Sequence, residues 1–180
     1  MQAERARNEA RTPEALPARS VAAGGGDAYW FTNNRMTIKV RAADTNGSLG
    51  AVEGLGPAGS SPPLHVHHRE DELFLLLEGS LTVRCGDQTY RAEPGSVTFL
   101  PRGVPHTFVV EGEQPARLLS VCVPGGFEEY FAAAGRPAEN EGLPPNQPPD
   151  VALLQRVGAD FGVEIVGPPL APAGDAGAIA

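Results

Sequence analysis

Gly59-Ser60-Ser61-Pro62-Pro63-Leu64-His65-Val66-His67-His68-Arg69-Glu70-Asp71-Glu72-Leu73-Phe74-Leu75-Leu76-Leu77-Glu78-Gly79 runs from a His-x-His pair through an acidic turn into an apolar strand. His65 and His67 stand two apart, so on a strand both side chains leave by one face while Val66 leaves by the other. Beyond the turn, Glu72 shares the parity of Phe74 and Leu76, whereas Asp71 falls on the opposite face. Leu73 to Leu77 is apolar on both faces, so one face should line a core and the other should be covered by the C-terminal segment or a second subunit. A second stretch, Gly95-Ser96-Val97-Thr98-Phe99-Leu100-Pro101-Arg102-Gly103-Val104-Pro105-His106, turns a proline-glycine corner and delivers His106 onto a strand whose Phe108 and Val110 share its inward parity. Gly79 and Gly95 stand at strand ends, where tight turns favour positive φ.

A lone buried histidine is more often a core residue bonded to the backbone than a ligand. Three inward histidines joined by a carboxylate read differently, as a site for one divalent transition metal ion (Fe, Ni, Mn, Co, Cu or Zn) with coordination positions left open. The candidate ligands are His65, His67, Glu72 and His106, with Glu72 doubling as the catalytic proton carrier. Glu70 has the right parity but falls in the turn, and His68 points away from His67 into solvent or a supporting role. Phe74, Phe99 and Phe108 are candidates to line a flat apolar substrate pocket.

The 180 residues suit one domain with tails, and 41% hydrophobic content is enough for a core. A net charge of -8 offers no basic surface for nucleic acid. No apolar window is long enough for a transmembrane helix, and charges stand where a signal peptide needs an apolar stretch, so a cytoplasmic protein is expected. Cys85 and Cys122 lie in apolar runs and read as small buried hydrophobes without chemistry.

Short strand-like runs separated by Asn-Gly, Gly-Ser, Gly-Asp or proline pairs fill the middle of the chain, which predicts an all-β antiparallel sandwich or barrel. Residues 1–26 read as a mobile N-terminal arm, 27–124 as the barrel, and 125–180 as a C-terminal helical extension and tail. Within the extension, Phe127, Tyr130 and Phe131 have helical spacing and could cover a pocket mouth. After the proline-rich Leu143 to Pro149, Asp150 caps a helix to about Phe161 with Val151, Leu154 and Val157 as its buried stripe, and Pro168 onward reads as a loose tail.

Gly59, His65, His67, Glu72 and Gly79 match the first motif of the cupin superfamily without a gap, and Gly95, Pro101, Gly103 and His106 match the second. The asparagine that closes the second motif is replaced by Val110, which removes a polar group near the pocket. The resemblance spans about Met36 to Val123. It implies a small antiparallel β-barrel of the jelly-roll (double-stranded β-helix) kind, often a homodimer, with His65, His67, Glu72 and His106 as metal ligands. More finely, the two stretches resemble single-domain cupins of the quercetin 2,3-dioxygenase-like group. The expected activity is then a metal-dependent dioxygenase acting with dioxygen on an enol or phenol of an aromatic, flavonol-like small molecule. Two alternatives stand beside it: a non-redox metal-cupin isomerase, cyclase or decarboxylase, and a metal-containing binding module without turnover.

Overall fold

The computed structural model describes residues 15–172. Most of the expected N-terminal arm (residues 1–14) and the end of the expected tail (residues 173–180) lie outside the described residues. Strand structure begins at Asp27. The strands are β1 Asp27–Phe31, β2 Asn34–Val40, β3 Gly50–Gly56, β4 Pro63–His67, β5 Asp71–Glu78, β6 Leu81–Cys85, β7 Gln88–Ala92, β8 Val97–Leu100, β9 His106–Val110, β10 Ala116–Val123, β11 Arg136–Pro137 and β12 Val163–Pro169. Two helices interrupt them late in the chain, α1 Glu128–Ala134 and α2 Val151–Asp160.

All strand pairings are antiparallel. One sheet has the order β11-β1-β2-β3-β10-β5-β8 and the other β12-β4-β9-β6-β7. Neighbours in space are thus often distant in sequence, the mark of a jelly roll rather than a meander. Period-2 patterning sets which side chains enter. On β5, Glu72, Phe74 and Leu76 are buried while Asp71, Leu73 and Leu75 alternate with them on the outer face. Gly79 (φ +82°) and Gly95 (φ +90°) turn the chain at strand ends as expected, and a Cβ on Gly79 would lie 2.8 Å from Ala116 Cα.

Two apolar clusters fill the interior. Phe74, Leu76, Leu81, Val83, Leu100, Val110 and Leu118 pack between the sheets. Ile38, Val52, Cys122, Phe127, Tyr130, Phe131, Leu154 and Val163 form the other, into which α1 and α2 insert. The Tyr130 hydroxyl donates to Leu154 O at 3.0 Å and ties the helices together, and burial raises its pKa to about 12. Cys85 and Cys122 are free thiols whose pKa burial raises, in keeping with a packing role.

The C-terminal extension differs from expectation in two respects. Asp150 caps α2, accepting from Leu153 N at 3.0 Å, but Val151 in the first turn is 42% exposed and the buried face is formed by Leu154 and Gly158. A first-turn residue has no preceding turn to pack beneath, so its place on the apolar stripe does not guarantee cover. The stretch from Val163 to Pro169 is also a strand of the second sheet rather than connector and tail, with Val163 opposite His67 and Ile165 opposite His65. Prolines are tolerated there because β12 is an edge strand.

Candidate metal centre

The pleat that turns Val163 and the partly buried Ile165 inward beside β4 also sends His65 and His67 inward between the sheets. His106 opens β9 directly opposite His65, and their rings meet edge to face with centroids 4.5 Å apart. Glu72 arrives from the facing sheet, on β5 between Leu100 and Cys122 of the flanking strands. One ligand atom from each of His65, His67, Glu72 and His106 lies within 4.8 Å of the others, so the group bridges the two sheets. His67 and His106 are 1% exposed and Glu72 4%.

The corner that delivers His106 is fastened from outside. Asp71 accepts from Arg102 N, Nε and Nη2 at 2.9, 3.1 and 2.8 Å, and Gly103 N donates to His67 O at 2.8 Å. The fork of hydrogen bonds from Arg102 holds the Asp71 carboxyl down at about 2.

Backbone acceptors decide which imidazole nitrogen faces inward. Nδ1 of His65 lies 2.8 Å from Pro63 O and Nδ1 of His106 lies 3.0 Å from Val104 O. A carbonyl only accepts, so each Nδ1 carries the proton and each Nε2 turns its lone pair to the centre. Burial, reinforced by the neighbouring His106 and His67, pulls the His65 pKa down to about 3, which keeps that ring neutral and able to ligate. For Glu72 burial pushes upward, but the adjacent His106 and His67 and the Ser120 hydroxyl outweigh it and hold the carboxyl at about 2. Its Oε2 lies 3.3 Å from His106 Nε2 and 3.9 Å from His67 Nε2. Its Oε1 accepts from Ser120 Oγ at 2.5 Å.

Nε2 of His67 and of His106 are buried without a hydrogen-bond partner among the described residues. Orphaned imidazole lone pairs converging on one ionised carboxylate are costly unless something positive lies between them. Three nitrogens and one oxygen suit a divalent transition metal ion, so the cluster can bind one, though the donor types do not name it.

A cavity of about 320 Å³ opens from this cluster between the two apolar clusters. His65 and Glu72 form its polar end, and Phe74, Phe108, Phe127 and Phe131 contribute to its walls. No Lys or Arg is found among its described lining residues. Phe74 and Phe108 meet edge to face with centroids 5.6 Å apart, and Phe127 abuts the His67 ring at 4.3 Å. Val110 also lines the space, so the motif position expected to lose a polar group does place an apolar one there.

Of the residues singled out from sequence, His65, His67, Glu72 and His106 come together, and Phe74 and Phe108 reach the cavity. Phe99 does not. It sits opposite Leu73 on the outer face of the first sheet and is 60% exposed, because β8 turns Leu100 rather than Phe99 inward. His68 is exposed just past the end of β4, with Nε2 2.8 Å from Glu164 Oε2. Ser120 was missed. It is one more small polar residue in the apolar run of β10, and only its alternation with Leu118 and Cys122 hints at an inward hydroxyl.

Comparison with known proteins gives a consistent picture. A family model described as a cupin domain matches residues 51–122. The quercetin 2,3-dioxygenase of Bacillus subtilis is 28% identical over 121 residues, covering 67% of this chain and 36% of the relative. The tetracenomycin polyketide synthase protein TcmJ of Streptomyces glaucescens is 39% identical over 75 residues, 42% of this chain and 49% of the relative. This chain thus aligns with at most about half the length of either. Among solved structures, a predicted oxalate decarboxylase from Thermotoga maritima superposes with a TM-score of 0.55 at 21% identity, over 59% of this chain and 99% of that one, a likeness of fold.

Proposed function

From a chain whose residues 51–122 match a cupin-domain model, we propose a metal-dependent oxygenase, a dioxygenase acting on an enol or phenol of an aromatic, flavonol-like small molecule. The observation that carries this reading is the pairing of a buried His65-His67-Glu72-His106 cluster with an apolar cavity that has no cation among its described lining residues. A carboxylate or phosphate substrate would lack a positive side chain to receive it there, whereas a flat neutral ring with one acidic hydroxyl suits the space. The quercetin 2,3-dioxygenase name of the Bacillus relative supports the same substrate class.

His65, His67, Glu72 and His106 would hold the ion. When bound, it supplies Lewis acidity toward a substrate hydroxyl and, if redox-active, a path for electrons between substrate and dioxygen. Glu72 Oε2 takes the proton of that hydroxyl, while Ser120 keeps Oε1 engaged. Phe74 and Phe108 set the plane of the ring, and α1 with Phe127 and Phe131 excludes water from the reacting end.

The test is metal analysis of protein purified without added metal, followed by turnover of a flavonol with and without dioxygen. Consumption that requires dioxygen, one molecule per substrate, is the expected result. Equal turnover without dioxygen would replace the oxygenase by a non-redox isomerase, cyclase or decarboxylase. Tight binding with no turnover under either condition would make the protein a binding module.

The same reading includes a homodimer. Leu77, Val97, Phe99 and Val123 are 39, 60, 60 and 46% exposed on the adjacent strands β10, β5 and β8, an apolar face that nothing among the described residues covers. Of the C-terminal segment, β12 joins the other sheet and β11 pairs with β1 at the far edge of the first, which leaves a second copy as the proposed cover.

A further inference from the structure

Two of the three histidines at the centre have a backbone carbonyl to receive Nδ1–H, and His67 does not. Its Nδ1 is fully buried and has no hydrogen-bond partner among the described residues. Glu70 Oε2 lies 3.7 Å from it, just beyond hydrogen-bond reach, itself buried and without a partner, on a side chain 3% exposed. A donor and an acceptor that are both removed from water and both unsatisfied are each destabilising, and this cost falls when they meet. The acidic run from His68 to Glu72 reads as a wet turn, yet its Glu70 turns inward behind the ring, while His68 remains exposed and Asp71 engages Arg102 outside.

We propose that Glu70 is a positioning residue, which accepts the Nδ1–H of His67 and so fixes that ring with Nε2 toward the ion. Resting on the metal-centre reading, this role explains why a carboxylate is buried where no cationic side chain pairs with it. Glu70 does for His67 what Pro63 O and Val104 O do for the other two rings, but through an ionisable side chain that substitution can remove. With Glu70 at its back His67 is a stronger electron donor than its two neighbours, because a carboxylate raises the basicity of the opposite nitrogen more than a carbonyl does.

The test uses zinc-loaded full-length protein, since zinc is diamagnetic and needs no turnover for its readout. Zinc affinity is measured by chelator competition in wild type, Glu70→Gln and Glu70→Ala, and long-range proton–nitrogen NMR reports the tautomer of each histidine. The expected result is a loss of roughly 10- to 100-fold in affinity for Glu70→Ala, with a partial loss for Glu70→Gln, whose amide oxygen still accepts. The Nδ1 resonance of His67 should move while those of His65 and His106 stay in place, which a general loosening of the fold would not produce. If Glu70→Ala does not fold, Glu70→Gln carries the comparison through the same selective shift. Wild-type affinity with an unmoved His67 resonance in the variants overturns the proposal. A wild-type protein that takes up no zinc overturns the metal centre itself, and Glu70's role with it, and is recognised by failing before any variant is compared.

Discussion

Glu72 and Ser120 show how the centre depends on single atoms. Ser120 Oγ occupies one carboxylate oxygen at 2.5 Å, which leaves the other for the proposed ion and substrate. Ser120→Ala releases that oxygen, and since a hydrogen bond to a charged group contributes roughly 1.5–3 kcal/mol, turnover should fall about ten- to a hundredfold with metal content retained. Steady-state kinetics beside metal analysis checks this. His106→Ala removes a proposed ligand and should instead leave the purified protein largely without metal. The convergence of His65, His67, Glu72 and His106 was legible in the sequence because a His-x-His pair and strand parity set direction without knowledge of tertiary contacts. Ser120 was not, because a serine in an apolar strand carries no sign of its partner, and Phe99 misled because parity counted from one strand cannot say which face of its neighbour looks inward.

At the scale of elements, the corner between β8 and β9 and the late strand β12 hold the ligand strands in place. Asp71 pairs with Arg102 across that corner, and its carboxyl value of about 2 lies below its ordinary 3.8. Stabilisation from this pair is therefore present above about pH 4 and is lost as pH falls through about 2. Asp71→Asn should lower the melting temperature at neutral pH, and its gap from wild type should close over that acid window. Leu154, 5% exposed on α2, packs in the cluster that walls the cavity, and Leu154→Ala should cost about 2–5 kcal/mol in denaturant unfolding. The barrel strands were readable from alternation between turn residues. β12 was not, because its prolines and glycine mimic a tail and its partner β4 lies far back in sequence, so no local signal announces the pairing.

Over the whole molecule, the apolar face around Phe99 makes self-association the measurable consequence. In the proposed homodimer, Phe99→Glu should shift light scattering towards the monomer while leaving the inward faces of β5 and β8 as they are. That face follows from the doubly apolar run Leu73 to Leu77, one side of which packs the interior while the other joins Val97, Phe99 and Val123 outside. The pairing of β12 with β4 also has a consequence in time. The ribosome makes His65 and His67 about a hundred residues before Val163, and at roughly 5–20 residues per second their strand waits some 5–20 seconds with one edge bare. Completion of the pocket that would receive the proposed ion is thus an event of late synthesis or afterwards, and a nascent chain arrested before Val163 would present the imidazoles of β4 without their β12 neighbour.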